Sequence, residues 1–191
     1  PSGTKRIGNQ AFTYCTSLAS IKIPSSVTTI GENAFQRCSN LSSVTFAEES
    51  QLKDINKSVF SYCSNLTSIE IPEGVETIGE SAFYGCNKLK SITIPKTVTI
   101  IGVQAFNNCE NLISVEFAEE SRLTTIQSSA FSDCFNLTDD IEIPSTVTSI
   151  GEYAFYRCSK LSSMTFSRKT APSIEENTLS GCSTLNIYVP C

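Results

Sequence analysis

The feature that most constrains this chain is a repeat of 23 to 25 residues that covers its whole length. Each unit contains, in fixed order, an isoleucine that glycine usually follows, an Ala-Phe pair or a variant of it, a cysteine and a leucine. The units start at Ile7, Ile30, Ile55, Ile78, Ile101, Ile126, Ile150 and Ile174. Self-similarity at such a period is typical of solenoids, in which each unit packs only against its neighbours. We therefore interpret residues 1–191 as one domain of about eight stacked units.

Each unit contains one segment with the pattern of a short strand. The stretch LASIKIP at residues 18–24 alternates polar and apolar side chains, which predicts a strand with one buried face. Pro24 is expected to end this strand, because proline lacks the amide hydrogen that a sheet ladder requires. Pro72, Pro95 and Pro144 occupy the same place in three other units, so we expect the short strand to recur along the chain.

The segment around the Ala-Phe pair has the pattern of a short helix. In ENAFQRC, at residues 32–38, Ala34, Phe35 and Cys38 share one face at a spacing of three to four residues. We expect one or two turns of helix here, with these three side chains directed inward.

A single unit cannot fold alone. Ordering about 24 residues costs more conformational entropy than the burial of roughly eight apolar side chains recovers. Ladder hydrogen bonds and a core shared with neighbouring units must supply the difference, which is the physical basis of a solenoid.

The unit resembles a known family of repeats. The pattern Leu-x-x-Ile-x-Ile is similar to that of leucine-rich repeats, and the string IPSSVTTIGENAFQRCSNLSSVTF at residues 23–46 resembles the BspA-like subfamily. The resemblance covers essentially the whole chain. It implies a right-handed, curved leucine-rich-repeat solenoid with a parallel sheet of short strands on one face and short helical turns on the other. The spacing from Leu185 to Ile187 is one residue short, so we expect the last unit to be atypical or truncated.

The resemblance also implies a biological setting. Members of the family are surface proteins of anaerobic or host-associated bacteria and of parasitic protists. They are associated with adhesion to host or matrix proteins and with coaggregation.

Charge and hydropathy disfavour two classes of partner. The net charge of −5 and the pI near 4.8 argue against a surface that tracks nucleic-acid phosphates. No apolar run approaches the roughly 18 residues that a membrane span requires, and the first residues lack a signal-peptide core. The start inside a repeat favours a piece of a longer protein. We expect an extracellular or cell-surface segment, with a cytoplasmic location as the alternative.

Cysteine recurs at one position of every unit, and we interpret this column as structural. Equivalent positions lie at least about 4.8 Å apart with parallel side chains, which does not suit disulfides. The chain has no histidine and no Cys-x-x-Cys pair, which disfavours zinc. We predict buried, reduced thiols at Cys15, Cys38, Cys63, Cys86, Cys109, Cys134, Cys158 and Cys182. Cys191 breaks the pattern, and its exposure or its pairing in a longer chain stays open.

No residues form a recognisable catalytic or cofactor-binding set. Without histidine, neither a Ser-His-Asp nor a Cys-His arrangement can form. The acidic pairs Glu48/Glu49 and Glu119/Glu120 recur in equivalent turns, and paired surface acids usually just face solvent. Glycines recur singly and not in a phosphate-binding loop. We therefore expect a protein that is not an enzyme and that uses no cofactor or metal.

The outward side of the predicted strands is our candidate binding face. Its two columns carry mostly short polar side chains and extend about 34 Å over seven strand gaps, which suits an extended protein or glycan. The columns consist of Ser20, Lys22, Ser43, Thr45, Ser68, Glu70, Ser91, Thr93, Ser114, Glu116, Asp140, Glu142, Ser163, Thr165, Asn186 and Tyr188.

A second candidate face lies on the side of the predicted helical turns. Tyrosine and arginine, which are common at interface hot spots, occur there between the phenylalanine and the cysteine. The residues are Tyr14, Tyr62, Tyr84 and Tyr156, with Arg37 and Arg157 nearby. The alternative is that these rings cover the outer edge of the core.

Four Asn-x-Ser/Thr sequences occur, at Asn40, Asn56, Asn65 and Asn136. They permit glycosylation only in a secreting eukaryote. The alternative is that an asparagine beside the buried leucine hydrogen-bonds the turn between units.

We interpret the chain as a non-catalytic binding module, displayed on a surface, that adheres as a monomer to host or matrix proteins or glycans. It is not expected to bind nucleic acid. The alternative is an intracellular scaffold of the same fold for protein-protein interaction.

Overall fold

The computed structural model describes residues 3–138, 140–167, 172–183 and 185–189. Each repeat unit forms one coil, and each coil contributes two short strands. The strands are β1 (Arg6–Ile7), β2 (Ser20–Ile23), β3 (Thr29–Ile30), β4 (Ser43–Phe46), β5 (Asp54–Ile55), β6 (Ser68–Ile69), β7 (Thr77–Ile78), β8 (Ser91–Ile94), β9 (Ile100–Ile101), β10 (Ser114–Phe117), β11 (Thr125–Ile126), β12 (Ile141–Ile143), β13 (Ser149–Ile150), β14 (Ser163–Phe166), β15 (Ser173–Ile174) and β16 (Asn186–Tyr188).

All strand pairs are parallel, and equivalent residues of neighbouring coils lie opposite each other. The even-numbered strands follow the leucine of each unit and pair as β2-β4-β6, β8-β10 and β12-β14-β16. The odd-numbered strands end at the isoleucine that starts each unit, and pair as β1-β3 and as a six-stranded sheet from β5 to β15. The chain is therefore a parallel-strand solenoid of about eight turns, as the repeat predicts.

The segment around the Ala-Phe pair is not helical, and the prediction of helical turns on this side is wrong. Alternate backbone amides donate to the next coil: Phe35 N–H bonds the Val59 carbonyl at 2.9 Å, and Arg37 N–H bonds the Ser61 carbonyl at 2.8 Å. Amides between them close turns within the coil, as from Cys38 N–H to the Phe35 carbonyl at 3.1 Å. An α-helix would use all of these amides within its own segment.

In the turn segment of every coil, two residues adopt the left-handed backbone conformation, which interrupts a helix. In the second coil these are Asn33, with φ of 57°, and Arg37, with φ of 59°. The reversals turn alternate amides towards the next coil. The side chains of Ala34, Phe35 and Cys38 nevertheless reach the core as predicted, because a pair of consecutive turns satisfies the same spacing as a helix.

There is no helix among the described residues, and therefore no helix in that part of the chain that is long and apolar enough to cross a membrane.

Stacked phenylalanine rings form the centre of the core. Seven rings, from Phe12 to Phe155, lie one per coil, with centroids 5.1–5.6 Å apart and ring planes within 17° of parallel. This separation is close to the ~4.8 Å spacing of strands, so the rings stack in step with both sheets. Leu179 continues the column in the last coil and packs against the core.

Glycine after the isoleucine permits a close approach of neighbouring backbones. A Cβ added to Gly102 would lie 2.7 Å from the carbonyl carbon of Gly79, and one added to Gly151 would lie 2.6 Å from the Ser128 nitrogen. Both separations are shorter than side-chain carbons tolerate, so the Ile-Gly pair marks a backbone contact between coils.

The two end coils are less covered than the six between them. Within the described chain each has a neighbour on one side only. Ile174, Ile187 and Val189 of the last coil are 40%, 49% and 43% exposed.

The turn conformation predicts different effects of the same substitution at two neighbouring serines. Ser129 has φ of 55°, whereas Ser128 is not among the residues with positive φ. Glycine at Ser128 is expected to destabilise the fold by about 0.5–1 kcal/mol, the ordinary entropic cost of glycine. At Ser129 relief of left-handed strain offsets that cost, so Ser129→Gly is expected to be neutral or stabilising. Urea unfolding of both variants tests this, and an equal loss of stability at the two positions would contradict it.

Candidate binding faces

The strand face, defined by the two outward columns of the even-numbered strands, is polar in the structure. Alternation along each strand buries one set of side chains and exposes the other, as in β8, where Ile92 and Ile94 are buried and Ser91 and Thr93 are exposed. Of the predicted residues, the exposed ones are Ser20, Lys22, Ser43, Thr45, Ser68, Glu70, Ser91, Thr93, Glu116, Asp140, Glu142, Asn186 and Tyr188. Ser114 and Thr165 are half-buried.

Ser163 is the member of the strand face that the structure buries. Its hydroxyl donates a hydrogen bond to the Asp140 carboxylate of the preceding coil. In the same region Ser167 donates to the Glu142 carboxylate at 2.8 Å. These bonds hold two acidic side chains in place on the face, and because Ser163 is buried it adds little exposed surface to the face.

A first acidic groove of about 830 Å³ opens where strands β4, β6 and β8 end. Its carboxylates come from Glu48, Glu49, Glu70 and Glu73. Beneath them lie apolar side chains, including the half-buried Phe46. No lysine or arginine lines this groove, so its potential is negative over an apolar floor.

A second acidic groove of about 500 Å³ opens where β10 and β12 end. Its floor includes Phe117, the equivalent of Phe46, and no basic side chain lines it. Its carboxylates come from Glu116, Glu119, Glu120, Asp140 and Glu142. The two grooves occupy equivalent turns three coils apart, so the second is a copy of the first within the same chain.

The carboxylates of the two grooves are largely unpaired. Among the described residues, the ion pair they form is between Glu120 and Lys96, whose charged atoms are 3.9 Å apart and exposed, so it contributes little. In that part of the chain no group of three or more His, Cys, Asp or Glu residues is placed to hold a metal ion. The grooves therefore present negative charge to a ligand.

The periodic cysteines form a column of free thiols in which each sulfur from Cys38 to Cys182 bonds to the preceding coil. The Cys86 thiol donates to the Phe60 carbonyl at 3.2 Å, and the Cys109 thiol donates to the Phe83 carbonyl at 3.2 Å. The buried members are Cys38, Cys63, Cys86, Cys109, Cys134 and Cys158. The thiol thus fills a small core position and also satisfies a backbone carbonyl between the turns.

Burial sets the acidity of these thiols. Desolvation raises the pKa of Cys38 to about 11, and raises that of the fully enclosed Cys86 well above its ordinary value. A thiol that stays protonated is a poor nucleophile and a poor metal ligand. The prediction of a buried thiol is wrong for Cys15, which is exposed, and holds only in part for Cys182, which is half-buried, because both belong to end coils. Cys191 lies outside the described residues.

Tyrosine and arginine side chains form a ladder on the turn side. The Arg37 guanidinium lies over the rings of Tyr14 and Tyr62, at 5.5 and 4.7 Å from their centroids. Tyr62 in turn contacts Tyr84 edge to face at 5.2 Å. Tyr14 is 62% exposed and Tyr62 is 38% exposed, so part of each ring faces solvent. Arg157 lies over Tyr156 in the same way, at 5.0 Å.

A lysine groove of about 600 Å³ lies at the edge of the sheet where strands β8 to β14 begin, opposite the acidic grooves. It is lined by Thr67, Lys88, Lys90, Asn111, Ile113, Asn136, Thr138 and Lys160. Sequence reasoning missed it, although its signal is visible in the repeat. The three lysines are the charged members of the two positions that flank the buried leucine.

The asparagine before the leucine ties neighbouring coils together. The side-chain amide of Asn40 donates to the Thr16 carbonyl at 2.7 Å, and that of Asn111 donates to the Asn87 carbonyl at 2.6 Å. This hydrogen bond is the structural role that Sequence analysis gives for these asparagines as the alternative to glycosylation.

The repeat and the fold together match one family. The profile of the BspA type leucine rich repeat region matches residues 1–113 and 76–191, with six copies. These ranges together span the chain, so the protein belongs to the family of BspA type leucine-rich-repeat proteins. No curated protein is significantly similar to it.

Three solved structures share the fold. A leucine rich cell surface protein from Faecalibacterium prausnitzii A2-165 is 36% identical, with a TM-score of 0.79 over 91% of this chain and 45% of that protein. TpLRR of T. pallidum is 28% identical, with a TM-score of 0.74 over 84% of this chain and 75% of that one. A leucine-rich repeat protein from Bacteroides ovatus ATCC 8483 is 29% identical, with a TM-score of 0.60 over 96% of this chain and 59% of that protein. This chain thus spans less than half of the F. prausnitzii protein.

The cysteine column predicts an unusual pH dependence for one substitution. Near neutral pH, Cys86→Ala is expected to lower the free energy of unfolding by about 1–2 kcal/mol through the cavity it leaves. Thiols of the unfolded chain ionise near pH 9.0, whereas the buried Cys86 stays protonated, so the native protein loses stability as pH rises above that value. The alanine variant lacks this contribution. The difference between the two proteins is therefore expected to shrink by up to about 1.4 kcal/mol per pH unit above pH 9.

Urea unfolding at several pH values, with and without reducing agent, measures this difference. Cys15→Ala is the control, because the thiol it removes is exposed, and it is expected to cost less than about 0.5 kcal/mol. A difference that widens with pH, or that appears only in oxidising buffer, would show that Cys86 is not a neutral buried thiol.

Proposed function

We propose that this chain is a non-catalytic binding module of a bacterial cell surface, and that its strand face adheres to a basic, extended segment of a host or matrix protein. The two acidic grooves are the observation that carries this proposal. The fold supplies a rigid row of coils, and the family to which the chain belongs is consistent with protein binding.

The grooves have the chemistry that lysine and arginine side chains require. Such side chains have an apolar stem and a charged end. In the first acidic groove the stem would lie on Phe46 and Pro72, while the charged end meets carboxylates such as Glu48 and Glu70. The second acidic groove repeats the arrangement around Phe117 and Glu119.

The spacing of the grooves favours an extended ligand. Three coils separate them, which is about 15 Å at the spacing of parallel strands. Four to five residues of an extended chain cover that distance, since each residue advances ~3.3 Å. A partner with basic side chains at this interval would occupy both grooves at once, and the small polar side chains between them would let its backbone pass close to the sheet.

Display on a cell surface is supported by similarity. The protein from F. prausnitzii, of which this chain matches 45%, is a leucine rich cell surface protein.

Charge reversal on the strand face tests the proposal. Purified protein is screened against matrix proteins and glycans, and each ligand found is then measured with Glu70→Lys plus Glu116→Lys. Loss of two favourable charges and gain of two repulsive ones is expected to weaken binding by about tenfold or more, mainly through slower association, with a weaker salt dependence. The control is Glu32→Lys plus Glu176→Lys, which makes the same change of charge in the turns after the odd-numbered strands.

Three outcomes would count against this assignment. Equal weakening by the control would mean that net charge alone matters. Binding that survives the strand-face change but fails with Tyr14→Ala plus Tyr62→Ala would place the site on the tyrosine and arginine ladder. Binding of glycans alone, with no matrix protein bound, would exclude a basic protein segment as the ligand.

A further inference from the structure

The lysine groove is a second charged site, on the opposite edge of the sheet from the acidic grooves. Its lining includes three ammonium groups, from Lys88, Lys90 and Lys160, and none of its described lining residues is acidic. In a chain with a net charge of −5 this is a local reversal of potential. An anionic ligand would be attracted here and repelled from the other edge.

Among the described residues, no carboxylate pairs with the lysines of this groove. Within the described ranges neither Lys88 nor Lys90 forms an ion pair, whereas Lys53 and Lys57 do so with glutamates of the next coil. Lys160 donates a hydrogen bond at 2.6 Å to the side-chain oxygen of Asn136, which is a neutral acceptor. The positive charges of the groove are therefore available to a ligand.

The positions of the charges define an elongated site. Lys88 and Lys90 lie at one end, and Lys160 lies three coils further along, about 15 Å away at the spacing of parallel strands. Asn111 and Asn136 lie between them, and hydrogen bonds from their amides to the preceding coil fix their side chains. A ligand that satisfies both ends must be extended and must carry negative groups four to five residues apart if it is a peptide.

The middle of the groove is apolar. Ile113 is 44% exposed there, in a column where neighbouring coils place Lys90 and Thr138. Ile113 is not among the described residues that form the hydrophobic core or pack against it, although its neighbour Leu112 is buried. No aromatic ring lines the groove to stack on a sugar, so the combination of charge and aliphatic surface favours a peptide over a glycan.

We propose that the lysine groove docks an extended acidic segment of a partner protein, with carboxylates at both ends of the groove and an aliphatic side chain on Ile113. This site is separate from the strand-face site, and it binds ligands of the opposite charge. A module with both sites holds two different partners, or two oppositely charged segments of one partner, at opposite ends of the even-numbered strands.

A labelled peptide tests the groove directly. The probe is a fluorescein-labelled hexapeptide of sequence EELSEE, and its affinity is measured by fluorescence anisotropy at several salt concentrations. Lys88→Gln, Lys90→Gln and Lys160→Gln together are expected to weaken binding by about tenfold, since three favourable charge contacts are removed. The control is Lys5→Gln, Lys22→Gln and Lys53→Gln, which changes the net charge equally outside the groove and is expected to weaken binding far less.

The aliphatic contact has its own test. Ile113→Ser is expected to lower the affinity for the EELSEE peptide. It is expected to leave the affinity for EESSEE unchanged, because that peptide has no aliphatic side chain to pack there. Amide signals of Asn111 and Asn136 in nuclear magnetic resonance spectra are expected to shift when the peptide is added. Glu70→Lys plus Glu116→Lys is expected not to lower the affinity for the EELSEE peptide, and this result would distinguish the lysine groove from the strand face.

Several results would overturn the proposal. One is that the control lysine variant lowers the affinity for the peptide as much as the groove variant does. Another is that the native protein binds EESSEE and EELSEE with equal affinity. A third is that it binds a sulfated oligosaccharide but not the peptide. Self-association that depends on the three groove lysines, without binding of the peptide, would instead identify a second copy of the chain as the occupant.

Discussion

The structure depends on hydrogen bonds that each backbone makes along the stacking axis. Between the two sheets, alternate amides of the turn segment donate to the next coil, while the amides between them close the turns of their own coil. This division requires a left-handed residue at two points of every coil. It holds neighbouring coils in register along the turn segment, where the phenylalanine rings stack with their centroids 5.1–5.6 Å apart.

This register explains why the core positions of the repeat are so uniform and the surface positions so varied. A residue that fits one coil lies directly beside its equivalent in the next, so the core repeats the same side chain and each thiol meets the same carbonyl. At exposed positions, packing does not constrain the side chain, so equivalent positions in neighbouring coils can carry different polar or charged residues. The outer columns depart from uniformity in the acidic turns that recur three coils apart and in the lysines that flank the buried leucine, and these departures form the two proposed binding sites.

The sequence predicts the solenoid and its core because both follow from periodicity. The inward positions of Phe35 and Cys38 are confirmed, but the helical turns are not, since a spacing of three to four residues is shared by a helix and by consecutive turns. The left-handed conformation of residues such as Arg37 has no signature in the residue type. The lysine groove was missed because Lys88 and Lys160 are 72 residues apart and meet only when the coils are stacked.

The direction of the bonds between coils has a mechanical consequence. These bonds run parallel to the stacking axis, so a pull on the two ends of the chain loads them one coil at a time and does not shear all of them together. Each coil that detaches would release roughly 75–90 Å of extended chain. A module tethered to a cell and bound to a surface would thus lengthen stepwise under flow, with the remaining coils still folded and still presenting their faces.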